Sequence, residues 1–180
     1  MEERLLVTAS PHIRDHSTTR GLMGNVVIAL MPCVLASALI FGVQALVQVV
    51  MTTFACVAFE YLYELLMHKS NTVGDLSAVV TGIILALNMP VGMPLWIAVV
   101  GAFVAIIIVK QLFGGIGYNF ANPALVGRIV LFLGFTARMT AYVYPDMAVD
   151  ALASATPLSS SVDLSAVSFM DMFMGLHGGM

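Results

Sequence analysis

Charged side chains are scarce in this sequence: Lys, Arg, Asp and Glu make up 9% of its 180 residues, against about 25% in soluble domains. That scarcity excludes an ordinary water-soluble domain. The seven basic residues are scattered and the net charge is −3, so no basic patch exists for nucleic acid to bind. Cysteine is nearly absent too. Cys33 and Cys56 lie apart inside apolar stretches, which excludes a disulfide framework or a closely spaced zinc or redox pair. Both read as small packing residues. No GxGxxG fingerprint for a dinucleotide is present. The first twenty residues are polar, without the short apolar core of a signal peptide.

What is there is apolar. Sixty per cent of the chain is hydrophobic and the mean hydropathy is +0.99, the composition of an integral membrane protein. The expected class is all-α, a polytopic helix bundle of about five segments. Segment one runs from about Gly21 to Phe41 and contains Pro32, which removes a backbone donor and predicts a kink. Segment two runs from about Val43 to Leu66. Segment three, Leu76 to Met89, is short against the roughly 20 residues needed to cross the hydrocarbon. Segment four runs from Leu95 to about Phe113. Segment five, Pro123 to about Ala137, is short again and carries Arg128. Short segments interrupted by Gly and Pro point to a site part-way through the membrane, as in inverted-repeat transporters.

Between segments four and five lies Gly114-Gly115-Ile116-Gly117-Tyr118-Asn119-Phe120-Ala121-Asn122. Three glycines and two asparagines are poor helix material and too polar to face lipid. Such backbone is tolerated at membrane depth only where protein buries it or it lines a cavity. The loop, residues 110–123, is therefore a candidate functional element.

The basic residues give an orientation. With a cytoplasmic N-terminal segment (1–20) and a bundle over 21–137 crossing five times, Arg4, Arg14, Arg20, Lys69, Lys110 and Arg128 fall on the cytoplasmic side and only Arg138 outside. This satisfies the positive-inside rule and puts the stretch 138–180 outside the cytoplasm. The chain stops in a glycine-rich stretch, Gly175 to Met180, which reads as a sequence cut before its next element.

Few side chains can carry chemistry. Glu60 and Glu64 share a helix face near the end of segment two; the two readings are a functional intramembrane carboxylate and simple solvation at the interface. Arg128 reads first as snorkelling to the cytoplasmic surface. Asp75 reads as a cap at the start of segment three, and Thr81 and Asn88 on that segment as polar groups facing a pore or a cofactor. Thr156 before Pro157 reads on spacing as a helix N-cap. His12, His16, His68 and His177 form no ligand cluster by spacing, and the thirteen methionines read as packing or lipid-facing residues.

Three stretches taken together resemble a known family: Ser10-Pro11-His12; Asp75-Leu76-Ser77-Ala78-Val79-Val80-Thr81-Gly82; and Lys110-Gln111-Leu112-Phe113-Gly114-Gly115-Ile116-Gly117 with Asn119 and Asn122-Pro123-Ala124. Together they look like the D subunit of the Rnf electron-transport complex and are similar to the B subunit of the sodium-pumping NADH:quinone reductase. The resemblance runs from about residue 10 to 180. The Rnf D subunit fits better, because Ser-Pro-His arrives within ten residues of the start.

The resemblance implies a bacterial or archaeal cell-membrane subunit of an ion-translocating ferredoxin:NAD oxidoreductase, not catalytic alone. It implies FMN joined by a phosphoester to a threonine in a D-x-x-[S/T]-G-A-T pattern, outside the cytoplasm. Asp150, Ala155 and Thr156 match that pattern; Ala153 stands for the Ser/Thr and Ser154 for the Gly. A second flavin, riboflavin, is implied at a subunit interface. Arg128 would then hold a flavin phosphate, a flavin ring or a quinone oxygen, and Asn119 and Asn122 would contact a cofactor. Implied partners are the other Rnf subunits, including the flavin-bearing G subunit, and a flavin transferase. Family members have about twice the spans, so the chain resembles the first half of an inverted-repeat fold. Two rival readings stand beside this: a channel or carrier of urea- or ammonium-transporter type, and a purely structural anchor.

Overall fold

A computed structural model describes residues 18–69 and 72–141. Among these residues the chain is all-helical, as its composition predicts. Helix α1 spans Thr19–Phe41 and α2 spans Val43–Leu66, of 23 and 24 residues. Both are long and apolar enough to cross a bilayer. The shorter α3 covers Ser77–Leu87. Helix α4 begins as Leu95–Phe103 and continues as a π-helical stretch over Val104–Gln111. Helix α5 is Pro123–Gly134 and α6 is Thr136–Met139. Helix α1 runs unbroken through Pro32.

Local chemistry sets the ends. The Thr18 hydroxyl accepts the Gly21 N–H at 3.2 Å and starts α1. Gly42 alone joins α1 to α2, at φ 76°, a conformation that favours glycine. The Asp75 carboxylate accepts the N–H of Ser77, the first residue of α3, at 2.8 Å, in keeping with its expected place at a helix start. Asn122 accepts the N–H groups of Ala124 and Leu125 at 3.0 and 3.4 Å, and Pro123 fills the first helical position, where no N–H is needed. The fifth segment breaks at Phe135, whose ring packs edge-on against Trp96 at 5.3 Å.

The core forms where α2, α3, α4 and α5 meet, around Cys56, Leu85, Ile97, Ala102, Ala105 and Leu131, all at most 1% exposed. It is built on small residues. A Cβ added at Gly82 would lie 2.6 Å from the Thr53 Cα, so α3 meets the backbone of α2 there. At Gly127 the same atom would lie 3.1 Å from the Gly101 carbonyl oxygen, where α5 crosses α4. Lipid is as apolar as leucine, so close backbone packing rather than hydrophobic expulsion holds such helices together. Helix α1, by contrast, buries only Val34 among its residues; Val27 and Leu30 pack partly against the core, and most of its other large apolar side chains are exposed.

The expected plain helix from Leu95 to Phe113 is corrected in its second half, which is π-helical. The wider turn alters the angular spacing of adjacent side chains, and Lys110 and Gln111 are both buried.

Gly82→Ala is expected to lower stability by about 1–3 kcal/mol, the usual cost of overpacking, because a backbone atom cannot move aside. Gly134→Ala, with nothing within 4 Å of the added carbon, is expected to be neutral. Thermal unfolding in detergent by tryptophan fluorescence checks the pair.

Candidate functional site

On α2, Gln48, Thr52, Cys56, Glu60 and Glu64 recur every four residues and all are buried. This spacing lines up one helix face, and that face turns inward, toward the rest of the bundle. Glu60 is 0% and Glu64 4% exposed, which corrects the solvation reading of these carboxylates.

The Lys110 ammonium lies 2.5 Å from Glu60 Oε1 and 2.5 Å from Ser77 Oγ. Ser77 in turn donates its hydroxyl to Asp75 Oδ1 at 2.5 Å. Gln111 Nε2 donates to the same Glu60 oxygen at 2.9 Å. Thr72 donates its hydroxyl to Glu64 Oε1, and its N–H reaches both Glu64 oxygens at 3.1 Å. An ion pair this deep is tolerated because hydrogen bonds take up much of the remaining demand. They do not take up all of it: Glu60 Oε2 is buried with no hydrogen-bond partner. The cluster adjoins a cleft of about 660 Å³ lined by Glu64, Thr72, Asp75 and Gln111 together with Arg20 and Lys69.

The glycine loop closes the same end. Gly114, Gly115 and Gly117 all have positive φ, and the first two line the cleft. Asn119 Oδ1 is buried without a partner. Asn122 is occupied as the cap of α5.

A second polar site lies at the far end of α3. Arg128, on α5, donates from its guanidinium to Asn88 Oδ1 at 2.9 Å, and Asn88 is held by its own Nδ2 donating to the Ile84 carbonyl at 2.7 Å. From Ser77 to Asn88 is eleven residue steps, about 16 Å of helix. Arg128 is thus not at the loop end beside Lys110; its guanidinium is held by Asn88 at the other end of α3. Among the described residues the one ion pair is Lys110–Glu60, so the Arg128 charge has no carboxylate there. Asn88 and Arg128 border a cavity of about 270 Å³ with Ser37, Phe41, Gln48 and Pro90. Thr81 instead donates to the Ser77 carbonyl at 2.9 Å and lines neither space.

Asp150, Ser154, Ala155 and Thr156, with Ser10-Pro11-His12, lie outside the described residues. Sequence reasoning missed Lys110, Gln111 and Thr72 as partners of Glu60, and Ser77 as a partner of Lys110. The four-residue recurrence on α2 was the available signal for the buried face; the partners carried none.

Residues 6–180 match the model of the NQR2, RnfD, RnfE family. The chain is 43% identical over 180 residues to the D subunit of the Na(+)-translocating ferredoxin:NAD(+) oxidoreductase complex of Acetobacterium woodii, covering 98% of this chain and 56% of that protein. It is 39% identical to the D subunit of the ion-translocating oxidoreductase complex of Shewanella denitrificans, over 82% of this chain and 44% of that one. With the D subunit of the proton-translocating ferredoxin:NAD(+) oxidoreductase complex of Clostridium ljungdahlii it shares 35% identity over 84% of its length and 46% of the relative's. The chain spans about half the length of the curated relatives it matches.

Removing one member of a buried pair strands the other. Lys110→Met is expected to destabilise by about 3–5 kcal/mol, and adding Glu60→Leu to recover most of that loss. A double-mutant cycle on unfolding in detergent measures the coupling.

Proposed function

The chain belongs to the NQR2, RnfD, RnfE family, and from that membership we propose that it works as the D-type membrane subunit of an Rnf ion-translocating ferredoxin:NAD oxidoreductase. It holds FMN covalently through Thr156 and relays electrons while sodium ions or protons cross the membrane. The observation that carries this reading is the 43% identity, over almost the whole chain, to a D subunit named for sodium-translocating ferredoxin:NAD(+) oxidoreduction. The relatives' names include both a sodium- and a proton-translocating complex, so the ion is not fixed by family.

The geometry is consistent with both halves of that work. For ion transport, Glu60 keeps a buried oxygen without a partner, next to a cleft with further carboxylates. Ionisable groups held inside a membrane bundle serve ion and proton pathways. For the flavin, the test of fit is Arg128, a guanidinium with one amide partner and no carboxylate among the described residues, bordering a largely apolar cavity. Such a site suits a flat ring with a polar edge. When bound, FMN supplies the electron-carrying chemistry, and the chain supplies position and electrostatics. Asp150, Ser154 and Ala155 would flank the attachment, Asn119 and Asn122 in the glycine loop would contact a cofactor, riboflavin would sit at a subunit interface, and the flavin transferase and the G subunit would be partners. Thr156 then lies outside the cytoplasm and the N-terminus within it.

A channel or carrier of urea- or ammonium-transporter type would carry no covalent flavin, which separates the two readings. The chain is purified from cells that co-express the flavin transferase, denatured on a gel and examined for flavin fluorescence. A fluorescent band is expected, and Thr156→Val is expected to abolish it. A dark wild-type band would overturn the flavoprotein reading.

A further inference from the structure

We infer that the end of α4 is a two-position element held in place by the charge on Glu60: its π-helical position carries Lys110 inward onto Glu60, and an α-helical position turns Lys110 outward. The inference does not depend on the flavoprotein reading above. The first ground is the exposed stripe of α4. Trp96, Val100 and Phe103 are exposed at the four- and three-residue steps of an α-helix. The next exposed residue is Ile108, five beyond Phe103, and after it comes Leu112. The backbone widens over the same residues. Leu112 donates its N–H to the Ile107 carbonyl at 3.0 Å and Gly115 to the Lys110 carbonyl at 2.9 Å, each five residues back. Such turns are rare and mostly single within an α-helix, whereas this stretch runs over Val104–Gln111.

The second ground is where an α-helix would put the same side chains. Seven residues make about two turns at 3.6 residues per turn, so an unbroken α-helix would return Lys110 to the outward face of Phe103. Nine residues make about two and a half turns, which would bring Leu112 inward. The π-helical stretch reverses both: Lys110 is buried and Leu112 is 61% exposed. The outward lysine is not forbidden. It lies near a helix end, where a long basic side chain reaches the membrane surface.

The third ground is what is pinned and what is free. Ahead of the stretch, Phe103 packs edge-on against Phe59 of α2 at 5.6 Å and Trp96 against Phe135, which holds the first half of α4. Beyond it, Gly114, Gly115 and Gly117 have positive φ, and the space beside Gly115 and Gly117 is open, so the loop can take up the turn. What opposes ordinary winding is the pair of bonds from Lys110 Nζ and Gln111 Nε2 to Glu60 Oε1, at 2.5 and 2.9 Å. Ser77 gives Lys110 a neutral oxygen, and Asp75 reaches it only through Ser77. An ammonium inside the bundle needs its counter-charge, so loss of the Glu60 charge sends Lys110 outward and the stretch into α-helix.

The experiment places single nitroxides on the full chain in lipid nanodiscs and reads their accessibility to oxygen by electron paramagnetic resonance. Cys33→Ala first removes the exposed native thiol, and the buried Cys56 stays. Labels then go in at Ile107→Cys, Ile108→Cys and Leu112→Cys, one at a time. With Glu60 intact, the labels at 108 and 112 are expected to be more accessible than the label at 107. Glu60→Gln is expected to invert that order, the label at 107 moving out and those at 108 and 112 moving in. If Glu60→Gln does not fold, Glu60→Leu combined with Lys110→Met removes both charges, leaves nothing to hold the wide turn, and is expected to give the same inversion. An unchanged order in the folded variant, or the inverted order already present with Glu60 intact, would overturn the inference. Flavin attachment is read separately on the gel and does not enter either result.

Discussion

The ion pair between Lys110 and Glu60 constrains everything around it. Both side chains are withdrawn from water and from lipid, and charge in that position survives only with partners at hydrogen-bond distance. Satisfying the pair takes residues from four parts of the chain. Glu60 comes from α2, Lys110 and Gln111 from the π-helical end of α4, Ser77 from the first turn of α3, and Thr72 from the preceding connection. The pair therefore fixes the rotation and depth of three helices relative to one another.

Close packing makes that arrangement possible. At Gly82 the backbone of α3 lies against α2, and at Gly101 and Gly127 α4 lies against α5. Larger side chains would hold the helices apart by more than a hydrogen bond can span. The π-helical stretch has a related effect, since two adjacent side chains, Lys110 and Gln111, both reach Glu60 Oε1. Small residues and a widened helix are thus two local means to one polar contact.

Helix α3 separates two environments. At its first turn the bundle is rich in charge and adjoins the cleft under the glycine loop. At its last residue a single cation, Arg128, borders an apolar cavity. About 16 Å of helix lies between them, while the long α2 runs past both, carrying Glu60 at one level and Gln48 at the other.

The apolar runs alone determined that this is a helical membrane protein, that α1 and α2 break at Gly42, and that Asn122-Pro123 opens α5, because hydropathy, chain reversal and capping depend on residues close in sequence. The exceptional polar residues were also visible: Glu60, Glu64, Arg128 and the glycine loop stand out against an apolar background. Their partners were not, because Glu60 and Lys110 are 50 residues apart and Asn88 and Arg128 are 40 apart, distances over which local pattern carries no information. Only the tertiary structure decided that the Glu60 carboxylate is buried rather than solvated and that Arg128 lies at the far end of α3 rather than beside the loop. The physical reason is that the cost of a charge depends on what packing places around it, and packing between distant helices is not written in any one stretch of the chain.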